Sequence, residues 1–387
     1  MAEDFIPYSR QDIGEEDIAA VAELLRSDFL TQGPKGADFE AAFAARHGVA
    51  HAIGVANATA ALHLGCLAMG VKQGSRVWTS PNSFVASANC VLFCGAQIDF
   101  VDIDPVTRNM SVEALAAKLE AADLAGELPE VVIPVDFAGL PCDLAAMRVL
   151  ADRYNFKILE DASHATGASY QGQPVGSAYA DATVFSFHAV KIVTTAEGGM
   201  IVTQDERLAE KLRLLRSHGV TREEGLMKRN SEGGWYYEMV DLGWNYRLTD
   251  IQSALGLSQL SRMDAWRVAR EACADRYDAL LSDGPFKLPA RVEGSLSAWH
   301  LYAVEITSHA KQDRAAIFAG MREARIGVNV HYIPIHTQPY FERMGFRREQ
   351  FPNSVSYYEN AISIPLFPAM TYAQQDFVVE TILKLVR

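Results

Sequence analysis

Short apolar runs alternate with helix-patterned segments through the first two-thirds of the chain, and this rhythm restricts the fold more than any other feature. Ala52-Ile53-Gly54-Val55-Ala56, Arg76-Val77-Trp78-Thr79, Gln97-Ile98-Asp99-Phe100-Val101, Val131-Val132-Ile133-Pro134-Val135 and Lys157-Ile158-Leu159-Glu160 each read as a strand. Helical periodicity occupies residues 59–67, 112–122 and 143–154 between them. Such alternation predicts parallel βαβ units, with helices on both faces of a mostly parallel sheet. Ligands of these sheets sit beyond the carboxyl ends of the strands, so chemistry is expected just after a strand. A long helical pattern from Asp250 to about Leu280 breaks the rhythm, and Ser282-Asp283-Gly284-Pro285 stops it. The fold expected is α/β, with a larger unit of residues 1–250 and a smaller α+β unit of residues 251–387.

Length and composition narrow the class. A chain of 387 residues is long enough for two packed units, and 49% apolar with 21% charged residues is ordinary for a globular protein. A formal net charge of −13 argues against nucleic acid as a partner, which needs a basic footprint. A local pocket of backbone donors still permits an anionic small substrate. Cys66, Cys90, Cys94, Cys142 and Cys273 are odd in number, scattered and without a CxxC pair, the usage of reduced, packed thiols. Cys90 and Cys94 share a helical face but read as packing, and no metal is expected. Met1-Ala2-Glu3-Asp4 is acidic, unlike a signal peptide, and the most apolar stretch, 85–101, is interrupted by Asn89, Gln97 and Asp99. No membrane partner is expected, and the cytoplasm is the expected location.

Three segments carry chemistry. In Phe185-Ser186-Phe187-His188-Ala189-Val190-Lys191-Ile192-Val193-Thr194-Thr195-Ala196-Glu197-Gly198-Gly199, aromatic, hydroxyl and glycine residues surround one lysine. Partial desolvation would lower the pKa of Lys191 and make it a nucleophile toward an aldehyde. Lys157-Ile158-Leu159-Glu160-Asp161 puts a carboxylate at a strand end, where Asp161 suits a protonated ring nitrogen and Glu160 turns away. Asn57-Ala58-Thr59-Ala60-Ala61 opens a helix with small residues, the form a phosphate site requires. Taken singly, each has a plainer reading: a surface lysine, a helix-capping aspartate, and ordinary capping by Asn57.

In chain order, these pieces resemble the sugar aminotransferases of the DegT/DnrJ/EryC1/StrS family, within fold type I of the pyridoxal 5′-phosphate (PLP) enzymes. The resemblance runs over nearly the whole chain. It is most specific at residues 185–199, at Glu160-Asp161-Ala162-Ser163-His164, and at Leu242-Gly243-Trp244-Asn245-Tyr246-Arg247-Leu248-Thr249-Asp250. It implies that Lys191 holds PLP as a Schiff base and, once released, moves a proton between C4′ of the cofactor and the sugar carbon. Asp161 matches the partner of the pyridine nitrogen, and His164 the Gln or His near the ring hydroxyl. Phe84 matches the aromatic stacked on the ring, and Ala58, Thr59 and Ser186 match phosphate contacts. Asn245 matches a residue reaching the phosphate from a neighbouring subunit, which implies a homodimer with shared active sites. His188 and His218 match without a definite chemical step, and Trp244 and Tyr246 are expected to pack around Asn245.

Within that family the chain looks like the branch that aminates a UDP-linked 4-keto-6-deoxy-N-acetylhexosamine in pseudaminic acid synthesis, with L-glutamate as donor. Leu30-Thr31-Gln32-Gly33, Arg216-Ser217-His218-Gly219 and Val330-His331-Tyr332-Ile333-Pro334-Ile335 carry that likeness. Tyr8, Asp28, Phe29, Leu30, Thr31, Val330, His331, Tyr332 and Ile333 would line the nucleotide-sugar site, with Arg247 as a basic contact. Asp28 departs from the pattern, since such enzymes can carry a lysine there and a carboxylate repels a diphosphate. Other classes fit less well. No G-x-G-x-x-G follows a strand, and no His/Cys/carboxylate cluster suggests a metal. Two alternatives stay open: a related PLP sugar dehydratase, which would replace Lys191, and a cofactor-binding regulator without turnover.

Overall fold

The computed structural model describes residues 5–387, so the acidic Met1-Ala2-Glu3-Asp4 start lies outside the described residues. The strands that frame the site are β1 (His51–Val55), β2 (Arg76–Thr79), β3 (Gln97–Phe100), β4 (Val131–Ile133), β5 (Lys157–Asp161), a small hairpin of β6 (Ser169–Tyr170) and β7 (Gln173–Pro174), β8 (Ala182–Ser186) and β9 (Gly199–Thr203). The helices are α1 (Glu15–Leu24), α2 (Pro34–His47), α3 (Ala58–Ala68), α4 (Ala86–Phe93), α5 (Val112–Ala125), α6 (Leu144–Tyr154), α7 (Glu206–Arg216), α8 (Asp250–Leu260) and α9 (Met263–Leu281).

Seven strands form one sheet in the order β1-β9-β8-β5-β4-β2-β3. The β2–β3, β2–β4, β4–β5 and β5–β8 pairs are parallel, while β9 runs antiparallel to both β8 and β1. The mostly parallel α/β sheet expected from the alternation is therefore present, with one reversed strand. Both faces are apolar, as burial between helices demands. Ile53, Val55, Val77, Val131, Ile133, Leu159, Val184 and Ile201 pack with α3 and α4 on one side. Trp78, Val132 and Ile158 pack with α5 and α6 on the other.

The continuous helix expected over residues 250–280 is two helices. α8 stops at Ser261, and α9 starts after Arg262, whose guanidinium pairs with the buried carboxylate of Asp17 on α1. The break lets α8 pack on α1 and α2 while α9 turns toward a different core. That second core begins at Cys273, Ala274, Tyr277 and Leu281 and continues through Tyr302, Val304, Ile317, Ile362 and Val378. Here Phe286–Lys287, Tyr302–Ile306 and Ala361–Ile364 form an antiparallel sheet covered by helices, including Tyr372–Val386. Ile6 joins this core through a bridge to Ile326, so the N-terminal segment crosses to the C-terminal part.

Asp250 joins three segments through one residue. It is 1% exposed; its oxygens accept the N–H of Gly33 at 2.5 Å and of Gly36 at 2.9 Å, at the start of α2. Its own N–H donates to the carbonyl of Leu30. Asp250→Ala leaves two donors without an acceptor and is expected to cost about 1–3 kcal/mol, read as a lower urea midpoint. Asp250→Asn, which keeps one acceptor, should lose less.

Candidate active site

Five backbone segments converge at the carboxyl edge of the sheet: the ends of β1, β4, β5 and β8, and the beginning of the reversed β9. The turn after β1 caps α3, with the Asn57 side chain accepting the Ala60 N–H at 2.8 Å. The first-turn N–H groups of Ala58 and Thr59 have no acceptor within the helix and project from its positive end. Gly199 faces Ser186 in the β8–β9 register. A Cβ on Gly199 would lie 2.8 Å from Ala58 N and from the Asn57 carbonyl carbon, so only glycine lets β9 pass this helix start. Ala58, Thr59 and Ser186 are thus gathered into one cradle for an anionic group.

Asp161 ends β5 beside this cradle, 4% exposed. Ser87 Oγ donates to one of its oxygens at 2.7 Å, and Ser163 donates to the other through Oγ at 2.6 Å and N–H at 3.2 Å. Ser83 lies 2.8 Å from Ser87, extending the chain of hydroxyls. These donors fix the carboxylate and leave one lone pair free, on the oxygen that Ser87 binds. Lys191 sits in the loop joining β8 to β9, whose base is closed by Phe187 N–H to Gly198 O and Thr195 N–H to Phe187 O, both 2.9 Å. Burial pushes the Lys191 amine down to about 8, and the Asp161 carboxylate opposes that fall. The pair is electrostatically coupled, and the amine is available as a neutral nucleophile near neutral pH.

Three buried histidines stand on the far side. His164 Nδ1 accepts the N–H of Ala138 at 3.3 Å, which requires the proton on Nε2. Nε2–H then donates to Tyr332 Oη at 3.1 Å, and the phenolic proton of Tyr332 is left free for another acceptor. His300 packs against His164 with ring centroids 4.4 Å apart. His331 bonds Ser363 through Nδ1 and Asn329 through Nε2. Burial pushes His164 and His300 well below the ordinary histidine value and His331 to about 3, with the Lys191 charge acting in the same direction. All three are neutral at neutral pH. Tyr8 lies 5.7 Å from the His331 ring, and Phe84, largely exposed, lies 6.4 Å from Tyr332. Val330 is half-buried and Ile333 exposed beside them.

The structure brings Lys191, Asp161, His164, His331, Tyr332 and Tyr8 together; a second group gathers around residues 245–250, where the Arg247 backbone bridges Val55 at the end of β1. Asp28, Phe29, Leu30 and Thr31 are exposed and are held through Leu30 to Asp250. Arg247 lines a cavity of about 270 Å³ with Gln32, Gly33, Arg216, Ser217 and Asp250. Asn245 is exposed, its backbone bridged to Ser217. Trp244 and Tyr246 stack beside it and pack against His63, the packing role expected of them. His188 faces solvent near Glu197, and His218 occupies a left-handed turn at φ 64°. Ser87 and His300 escape sequence reasoning. The four-residue spacing of Ser83 and Ser87 around Phe84 is a readable signal, one helical turn apart; Ser297-Ala298-Trp299-His300 offers none.

A buried amine, a buried carboxylate and the open start of a helix at one sheet edge fit PLP: the amine would take its aldehyde, the carboxylate would accept from its ring nitrogen, and the helix amides would meet its phosphate. With the α/β fold they define a PLP-dependent sugar aminotransferase of fold type I. The chain belongs to the DegT/DnrJ/EryC1/StrS aminotransferase family, which it matches over residues 11–383. It is 39% identical to the spore coat polysaccharide biosynthesis protein SpsC of Bacillus subtilis, across 99% of this chain and 97% of that protein. Among solved structures it is similar to Helicobacter pylori PseC, an aminotransferase involved in the biosynthesis of pseudaminic acid, with a TM-score of 0.90, 32% identity and 99% of each chain covered. The PMP form of the sugar aminotransferase Spr1654 from Streptococcus pneumoniae gives 0.89 at 29% identity over 98% of this chain and 99% of that one.

The amine and histidine states predict a pH signature in the protein freed of cofactor. The rate of PLP capture should rise as pH passes about 8, where Lys191 loses its proton, with no histidine inflection below neutrality. Asp161→Asn removes the carboxylate that holds the amine up, so the inflection should move to lower pH. Stopped-flow absorbance across pH reads both; an unmoved inflection in the variant would sever the coupling.

Proposed function

We propose that this chain transfers an amino group from L-glutamate to C4 of a UDP-linked 4-keto-6-deoxy-N-acetylhexosamine, giving the 4-amino-altrosamine derivative of pseudaminic acid synthesis. The observation that carries the chemistry is the Lys191–Asp161 pair at the sheet edge beside an anion cradle. The likeness to PseC supports the sugar. In this reading Lys191 Nζ holds PLP covalently and, when displaced, takes and returns the proton at the reacting carbon; a pKa near 8 suits both directions. Asp161 keeps the ring nitrogen protonated, Ser87 and Ser163 keep Asp161 charged, and Ala58, Thr59 and Ser186 receive the phosphate. Phe84 covers the ring. His164 orients Tyr332, whose free phenolic proton serves the ring oxygen or the sugar. When bound, PLP supplies the electron sink for the reaction.

The second group of residues fits a site shared across a homodimer. Asn245 and residues 28–31, which are exposed, and Arg247, which is half-buried beside Asp250, would serve the partner's site. Tyr8, Val330, His331, Tyr332 and Ile333 would bound the sugar from the same chain. Asp28 is exposed, so its carboxylate is free to point away from a diphosphate. The reading includes a cytoplasmic location, for which sugar-nucleotide substrates and the free thiols speak. It also includes the division into units 1–250 and 251–387, supported by the separate apolar core that starts in α9. A different nucleotide-linked keto-sugar is the competing reading, favoured by the higher identity to the spore coat protein.

Three measurements test the proposal. Borohydride reduction of the PLP-loaded protein followed by peptide mapping should place the pyridoxyl group on Lys191; a group on another lysine would refute the assignment. Asp161→Asn should fold and bind cofactor but lose roughly two to four decades of rate, as removal of a principal electrostatic group does. For the sugar, the aminated cofactor form is mixed with the L-arabino UDP-sugar, its D-xylo epimer or a dTDP-4-keto-6-deoxyglucose, and recovery of the lysine-bound spectrum is timed. The first should react fastest. Preference for either competitor leaves an aminotransferase with another sugar, because epimers differ by only about 1–3 kcal/mol per contact.

A further inference from the structure

Glu160 precedes Asp161 in β5, so its side chain enters the opposite face of the sheet. It is wholly buried there, with Oε2 accepting the Thr183 hydroxyl of the neighbouring strand at 2.6 Å. Its other oxygen, Oε1, is buried and has no donor. Asp136, just beyond β4, is equally buried; Oδ1 accepts the Cys142 N–H at 2.8 Å, and Oδ2 is likewise buried without a donor. None of the ion pairs among the described residues includes either carboxyl. The titratable groups bearing on the pair are the Cys142 thiol and Asp161, neither of them cationic. The Asp136 N–H donates to the Asp161 carbonyl at 3.1 Å, so the pair stands directly behind the proposed ring-nitrogen acid.

Two carboxylates cannot both stay ionised in a dry interior with no cation, and two orphan acceptor oxygens cannot satisfy each other without a proton. Burial raises the pKa of both acids, Glu160 the further; the Asp136 charge adds to the rise in Glu160, and the Asp161 charge adds to both. We propose that Glu160 and Asp136 share one proton between Oε1 and Oδ2, forming a single buried anion behind Asp161. This anion strengthens the negative field that favours a protonated ring nitrogen and a protonated lysine–cofactor nitrogen. It assigns Glu160 and Asp136 as positioning residues that act through Asp161, and it rests on the reading of Asp161 given above. The device also explains why a strand places two acids side by side: one meets the cofactor, the other holds charge behind it.

Amide substitutions separate the charge from the shape. Glu160→Gln donates an N–H to Asp136 Oδ2, and Asp136→Asn donates to Glu160 Oε1; each removes the shared proton but keeps one negative charge. With both substitutions present, the amide at position 136 keeps its oxygen on the Cys142 N–H, and the amide at position 160 turns to accept from its NH2 and to donate to Thr183 Oγ1, so the contacts survive and the charge does not. Infrared spectra of the cofactor-free protein at neutral pH should show a protonated-carboxyl band in the parent chain that disappears in each single variant. With PLP bound, the pH-dependent absorbance transition should superpose for the parent and both single variants. In the double variant it should move to lower pH by roughly one unit, the size of one buried charge a few residues away. Absence of the carboxyl band in the parent, or an unmoved transition in the double variant, overturns the proposal. Failure of the Asp161 reading shows differently: the transition would ignore Asp161→Asn while the infrared band in the cofactor-free protein remained.

Discussion

An ionised carboxylate inside a parallel sheet is the constraint on which this molecule depends. Asp161 makes no direct salt bridge among the described residues, Lys191 acting on it only through space, and three donors from Ser87 and Ser163 bind it instead. Hydrogen bonds to the charged form are what make such burial tolerable. The requirement reaches back to the fold. Ser87 lies in the first turn of α4, so the helix after β2 must begin beside the end of β5, and the strand order that puts β4 between them sets that distance.

The histidines show the opposite solution to burial. His164, His300 and His331 are held neutral by desolvation and by the neighbouring Lys191 charge, so the site concentrates its cationic charge on one amine. Neutral imidazoles transmit direction and not charge. The Ala138 N–H fixes one tautomer, that tautomer fixes the donor toward Tyr332, and the phenol inherits an orientation set by a backbone amide.

Much of this was legible in the sequence, for different physical reasons. Strand positions such as Val131–Ile133 were readable because burial on both faces leaves an uninterrupted apolar run. The order of the strands was not, since parallel pairing joins segments distant in sequence. The break between α8 and α9 was hidden because Ser261 and Arg262 are ordinary helix residues; tertiary pairing of Arg262 with Asp17 decides it. Lys191 and Asp161 stood out through their flanking residues. Ser87 and His300 act on side chains far away in the sequence; only the spacing from Ser83 marks the first, and nothing local marks the second. Glu160 could be assigned to the far face from strand alternation alone, but its partner Asp136 lies on a different strand's extension.

The segment around Leu30 is anchored by Asp250, at the start of α8, and the hydrogen bonds that fix it are separate from those around Lys191. Side chains at positions 28–31 can therefore change without disturbing any hydrogen bond that keeps Asp161 charged or His164 oriented. Where positions 28–31 meet the sugar as proposed, selection on sugar choice and selection on cofactor chemistry act on separate mechanical supports. On that proposal, a chain with this architecture changes its substrate through a short exposed stretch while the buried groups stay as they are.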